Sequence, residues 1–303
     1  MAIPVKKNNL FERQLFSMTT IIEGTIIKDG NVHKWQASGF YYNEVSPSDP
    51  SKTGGQWVQV DKTWLVTNRH VVLPTINNEE CVPDTFSFNI RETNNGQICW
   101  RAINIDRTQL LAALRLHKDK EVDVAIIDAT LFIREFVQNM IATGNNNLHL
   151  PAWLSNTNLP ENQPLNIEVT SDIIVASYPK GFYDRVNKFP IVKSGIKASA
   201  WGLPFNGKAL FEIDAQLFPG SSGGLVISKP TNIALIDGHI KFNESKQFVF
   251  LGVYSGEYKW EESRDIGGNK VKTLNSYGLG NVWYSYLIPQ IIESGEGYTS
   301  SRT

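Results

Sequence analysis

The feature that most constrains this chain is a succession of short segments rich in β-branched and aromatic residues, each broken by turn formers. TTIIEGTIIK (19–28), WQASGFYY (35–42), QWVQV (56–60), TWLVTN (63–68), TFSFNIR (85–91) and QICWRAINI (97–105) make a first set of strands. LNIEV (165–169), DIIVASY (172–178), PIVKSGIKASA (190–200), ALFEID (209–214), GLVIS (224–228), QFVFLGVYS (247–255) and KTLNSYGLG (272–280) make a second. Between the sets, TQLLAALRL (108–116) reads as a short helix and VDVAIID (122–128) as an apolar strand. LFIREFVQNMIA (131–142) has its apolar residues at helical spacing, and 144–164 is a linker by composition. NVWYSYLIPQIIESG (281–295) reads as a closing helix, in which Pro289 must sit near the first turn or kink it. Two sets of short strands in succession predict an all-β fold of two packed antiparallel barrels. The first barrel is expected over 18–128, a helix and linker over 129–164, the second barrel over 165–280 and a C-terminal helix over 281–295.

Bulk properties narrow the function classes. At 303 residues and 41% apolar, the chain can build one large core or two smaller ones. A net charge of −1 gives no reason to expect a nucleic-acid or membrane surface. No apolar run is long enough to span a bilayer, and MAIPVKKNNLFERQ has no apolar core of a secretory leader. Cys81 and Cys99 do not make a disulfide framework and read as thiols of a cytoplasmic protein. No cofactor and no metal are expected.

The stretch PGSSGGLVI (219–227) sets two serines among three glycines and runs straight into an apolar strand. By itself that is a tight turn. It becomes chemistry only if the chain supplies a base, because a serine hydroxyl is a weak nucleophile. His70 ends an apolar strand and opens another apolar run in LVTNRHVV, so its backbone is fixed from both sides. His33, His117, His149 and His239 lie in polar turns or linkers. A histidine base needs a carboxylate to set its tautomer and balance its cation. Asp123 sits inside VDVAII, where burying an unpartnered carboxylate would be costly. Asp119 and Asp128 are weaker candidates, beside charged or turn segments. The candidate constellation is His70, Asp123 and Ser222.

On these segments the chain resembles the chymotrypsin-fold serine peptidases, and among them the bacterial trypsin-like peptidases related to the HtrA (Deg) group. LVTNRHVV is similar to the histidine segment, DVAII to the aspartate segment and DAQLFPGSSGGLV (214–226) to the nucleophile segment. ASGFYY (37–42), VASYPKGFYD (175–184) and PIVKSGIKAS (190–199) resemble further strands of that fold. The order His, Asp, Ser is also that of the chymotrypsin fold. The resemblance spans roughly residues 18–292 and implies barrels of the chymotrypsin type.

It implies roles as well. Ser222 attacks, His70 takes its proton and Asp123 orients His70. The N–H groups of Gly220 and Ser222 form an oxyanion hole, with Ser221 as the spacer. Six residues before the nucleophile, Gln216 lies at the base of the pocket for the residue whose carbonyl is attacked (P1). Being neutral, it implies a neutral P1. Tyr254, Ser255 and Gly256 match the segment that pairs with substrate backbone. The implied function is a serine endopeptidase acting on protein or peptide substrates. The alternatives are a latent or regulatory peptide-binding module that needs a partner protein or trigger, and an esterase-like hydrolase. The chain departs from the HtrA pattern in that no PDZ domain is expected after the second barrel. Where trypsin-like zymogens place an aspartate before the nucleophile, Ser221 stands, so activation by N-terminal cleavage is not expected.

Overall fold

The computed structural model describes residues 10–47, 58–94, 97–144, 154–180, 182–236, 239–266 and 269–298. Helix α1 (Leu10–Met18) leads into the first sheet. The strands of the first unit are β1 (Thr19–Lys28), β2 (Asn31–Pro47) and β3 (Val58–Thr67), a separate small ribbon of β4 (Thr75–Ile76) and β5 (Glu79–Glu80), then β6 (Thr85–Asn94), β7 (Gln97–Asp106), β8 (Leu114–Leu116), β9 (Ala125–Asp128) and β10 (Leu154–Ser155). The main sheet has eight strands in the order β7-β6-β1-β2-β3-β9-β8, with β10 added in parallel to β2. The second unit comprises β11 (Asp172–Ser177), β12 (Ile191–Lys197), β13 (Leu210–Asp214), β14 (Leu225–Ser228), the ribbon β15 (Thr231–Ile236) and β16 (His239–Gln247), then β17 (Phe250–Ile266) and β18 (Asn269–Tyr284). Six of these close into a barrel, β11-β12-β13-β18-β17-β14. An eight-stranded sheet and a closed six-stranded barrel fit the chymotrypsin-type double barrel.

Packing explains the pairing of the two units. In β13 and β18, Phe211, Ile213, Val282 and Tyr284 fill the second barrel. Leu210 and Trp283 point the other way and join the core of the first sheet, with Phe40, Leu65, Val66, Ile126 and Ile127. All four residues of β14 are buried, because one face of that strand lines the barrel and the other meets the first unit. A strand covered on both faces reads as an unbroken apolar run rather than an alternation. Arg91 on β6 crosses the same boundary. Its guanidinium donates to the Asn187 carbonyl (2.7 Å) and the Tyr178 hydroxyl (2.8 Å) and stacks over the Phe189 ring.

Several expectations need correction. The single-turn helix α2 (Arg69–Val72) follows β3. TQLLAALRL divides into helix α3 (Arg107–Ala113) and strand β8, after Asp106 caps the helix through Gln109. LNIEV is not a strand. There Asn166 bonds Glu168, and the Glu168 N–H bonds the Ser171 hydroxyl, so side chains close a local turn in place of a ladder. The helix over 131–142 is present as α4 (Thr130–Ala142). The closing segment first finishes β18 and then forms α5 (Leu287–Ser294), with Pro289 in its first turn. Residues 145–153 of the linker lie outside the described residues.

Candidate active site

Three elements carry the candidate residues to one place. β3 ends at Thr67, and the chain turns at once into α2, which holds His70. Asp123 lies in the turn before β9, the neighbour of β3 in the sheet. The Asn68 side chain donates to the Asp123 carbonyl (2.7 Å) and ties these segments together. Asp123 then receives two bonds from His70. The backbone N–H reaches Oδ1 at 2.9 Å and Nδ1 reaches Oδ2 at 2.7 Å. That contact fixes the ring and leaves Nε2 as the atom free to act as a base. The residue beside the histidine, Arg69, is clamped by Glu80 through two bonds of 2.7 and 2.9 Å. The other aspartates are spent locally: Asp128 accepts from the Thr130 N–H and Asp119 from the Glu121 N–H.

Ser222 joins this pair through Ser255. Its hydroxyl donates to the Ser255 carbonyl at 3.1 Å, and the Ser255 hydroxyl donates to Asp123 Oδ2 at 2.8 Å. Among the described residues, the Ser222 hydroxyl makes no hydrogen bond to His70. Ser255 therefore holds the carboxylate as well as facing the site, a role that sequence did not suggest. It occupies a bulge in β17, since Tyr254 pairs with Val282 and Gly256 with Asn281, leaving Ser255 as the extra residue. The Tyr254 ring is buried, and its N–H and C=O both pair with the chain after Ser222, at Gly224 and Gly223. Of the expected substrate-pairing residues, Ser255 and Gly256 are thus left to face the site.

The loop before Ser222 has an alternating pattern of N–H use. The N–H of Ser221 bonds Phe218, that of Gly223 bonds Tyr254 and that of Gly224 bonds Ser221. Among the described residues, the N–H groups of Gly220 and Ser222 have no such acceptor. Gly220 has φ +93°, and a side chain there would meet the Lys180 nitrogen at 2.6 Å and the Tyr178 oxygen at 2.8 Å. Gly223 has φ +81°, and a Cβ would run into the Ser38 carbonyl and the Thr67 hydroxyl. Both positions demand glycine. Ser221 is fully buried and accepts from the Ser177 hydroxyl at 3.1 Å, so it faces away from the cleft. Gln216 is exposed on the segment after β13, and Phe218 is half-exposed beside it.

Ser38 organises this loop from the first unit. Its N–H bonds the Ser222 carbonyl (2.9 Å), its hydroxyl bonds the Gly220 carbonyl (2.8 Å), and that hydroxyl also accepts from the Tyr178 N–H (2.8 Å). The sequence signal for it was only the small-Ser-Gly-Phe resemblance at ASGFYY. Elsewhere in the second unit, Glu212 on β13 is buried with neither carboxylate oxygen partnered among the described residues, and burial pushes its carboxyl up to about 7. Among the described residues no group of His, Cys, Asp and Glu has the arrangement of a metal site.

A double barrel with a serine, a histidine and an aspartate gathered where the two units meet defines the class of chymotrypsin-type serine hydrolases. The family model described as a trypsin-like peptidase domain matches residues 37–232, so the chain belongs to the trypsin-like peptidases and is a serine peptidase. Similar solved structures include the serine endoprotease from Yersinia pestis, at 14% identity over 96% of this chain and 67% of that one, with a TM-score of 0.43. Another is the protease Anisep from Arthrobacter nicotinovorans, at 15% identity over 92% of this chain and 94% of that one, also with a TM-score of 0.43. No curated protein matches the chain.

Proposed function

We propose that this peptidase cleaves peptide bonds within protein or peptide substrates through an acyl-enzyme, with Ser222 as nucleophile, His70 as base and Asp123 as its orienting carboxylate. The observation that carries this reading is the bond of His70 Nδ1 to Asp123, beside a serine held through Ser255 on the same carboxylate. Ser222 attacks the carbonyl carbon while His70 Nε2 takes its proton. The resulting imidazolium is balanced by Asp123. The charge that develops on the carbonyl oxygen meets the unspent N–H groups of Gly220 and Ser222. His70 then returns its proton to the leaving amine. Water, activated by the same imidazole, releases the acyl group.

The P1 side chain enters beside the segment that carries Gln216 and Phe218. Gln216 brings no charge to balance a cation, so neutral P1 residues are favoured. A library of peptides varied at P1 tests this, and a profile dominated by Lys and Arg would exclude it. The catalytic reading is tested by fluorophosphonate labelling. Native protein should be modified at Ser222, and Ser222→Ala should not react. Labelling at Ser221, or none under conditions that preserve the fold, would reject it.

One observation favours a second reading. The Ser222 hydroxyl rests on the Ser255 carbonyl and not on an imidazole. A latent peptidase that needs a substrate strand or a partner protein to release that hydroxyl would rest in this way. Labelling accelerated by an added peptide or partner would distinguish it from a ready enzyme.

A further inference from the structure

Glu212 has no part in the chemistry described above, yet its setting is unusual. It is 2% exposed, and among the described residues neither of its carboxylate oxygens has a hydrogen-bond partner. Buried polar groups are nearly always satisfied, and an unpaired buried acid is costly to ionise. Nothing about packing calls for an acid there, since Leu210 on the same face is apolar.

The sheet register shows what lies beside it. Glu212 is opposite Asn281 on β18, and Asn281 is opposite Gly256 on β17. Residues directly opposite share one face of a sheet. On that face the next row is Leu210, Trp283 and Val253, which belong to the core shared with the first unit, so the face turns towards the first barrel. Asn281 is partly exposed, but its side-chain oxygen is buried and also unpartnered. Gly256 directly follows Ser255, on whose carbonyl Ser222 rests, and a Cβ added to Gly256 would meet no atom within 4 Å. A polar row therefore leads from open space beside the nucleophile, past Asn281, to a buried acid. The buried unpaired atoms of Glu212 and Asn281 in that row are all acceptors. Neighbouring strands lie about 4.8 Å apart, so the row is about 10 Å long. The stem of a lysine or arginine, together with the side chain of the glutamate, bridges that distance.

We propose that Glu212 and Asn281 form the floor of a subsite that takes a lysine or arginine side chain of the substrate, upstream of the cleaved bond. The row lies on the face of the sheet opposite to the one that carries the buried Tyr254 and Val282. A bound ammonium or guanidinium supplies several donors and the missing counter-charge, and it favours the ionised carboxylate that burial disfavours. The proposal rests on the reading of Ser222 as the nucleophile, since that fixes where the peptide lies.

The test separates the two. Peptides that share one P1 residue carry lysine, norleucine or glutamate at each upstream position in turn. Their affinity for Ser222→Ala is measured by calorimetry, so turnover is not needed. At one position lysine should bind at least about tenfold tighter than norleucine. Adding Glu212→Gln to the same background should bring that ratio to about one, and Asn281→Asp should raise it. No lysine preference at any position, no binding of any peptide, or a ratio that neither change moves would overturn the subsite. Failure of the nucleophile reading looks different: native protein would bind the lysine peptide yet neither cleave it nor label at Ser222.

Discussion

At the scale of single residues, the site is a chain of contacts in which each side chain fixes the next. Ser222→Ala or His70→Ala should each remove nearly all peptide hydrolysis, and the double variant should be little worse, because the residues act as one unit. Asp123→Asn should be severe as well, since the amide favours the wrong histidine tautomer. Steady-state kcat/KM of the three single variants and one double checks this. Additive losses from Ser222 and His70 would contradict it. Ser255 acts one step back, through its bond to Asp123. Its replacement by alanine should lower kcat about tenfold or more, the scale of one hydrogen bond to a charged group, with a smaller change in KM. Loss confined to KM would mean that the hydroxyl serves only substrate binding. His70 and Asp123 stand out in sequence because each interrupts an apolar context, and Ser222 because it lies among glycines ahead of an apolar strand. Ser38 and Ser255 were not readable as positioning groups. Ser255 lies 132 residues from Asp123, and that contact exists only after the two barrels meet.

At the scale of elements, the barrel strands were legible and the ribbons were not. β1, β6, β7 and β11 bury apolar residues against a core, which leaves a pattern of β-branched and aromatic residues in sequence. The outer part of the β17–β18 hairpin lacks that mark. Stretches such as Glu257–Ser263 are mainly polar, and a two-stranded ribbon has no core to impose a period. β13 shows a different conflict, an acid where its neighbours are apolar. Because burial raises the Glu212 carboxyl from 4.5 to about 7, the native state holds a proton there that the unfolded chain releases. The stabilisation from that proton is complete below pH 4.5, falls as pH rises, and is gone above about pH 7. Urea unfolding should therefore show Glu212→Gln gaining on the native protein between those limits, by about 3 kcal/mol in total. A difference that does not change between pH 4.5 and 8 would refute this account of β13.

At the scale of the whole molecule, the two units are joined through buried polar contacts as well as apolar ones. Arg91 spans the boundary to Tyr178 and Asn187, and Tyr178 in turn meets Ser38 beneath the Ser222 loop. Arg91→Met keeps the length of the side chain and removes its donors. It should destabilise the fold by about 3 kcal/mol, the scale of breaking a buried charged contact. Activity should fall together with the folded fraction in urea. A variant that is fully folded by circular dichroism, equally stable and equally active would show that the apolar interface alone holds the units together. The double-barrel class is legible in the order of the residues, since two successive sets of strands leave few ways to bury their faces. The interface is not, because Arg91 and Ser38 look like ordinary polar residues in their strands until the second barrel stands beside them.

The placement of Ser38 has a consequence for the cell that makes this protein. His70 and Asp123 emerge from the ribosome well before Ser222, and the loop around Ser222 is bonded to a serine of the first unit. With Ser222 as the proposed nucleophile, a half-made chain would not cleave, and neither would one whose halves have come apart. On that reading the site is assembled only when the second barrel packs on the first.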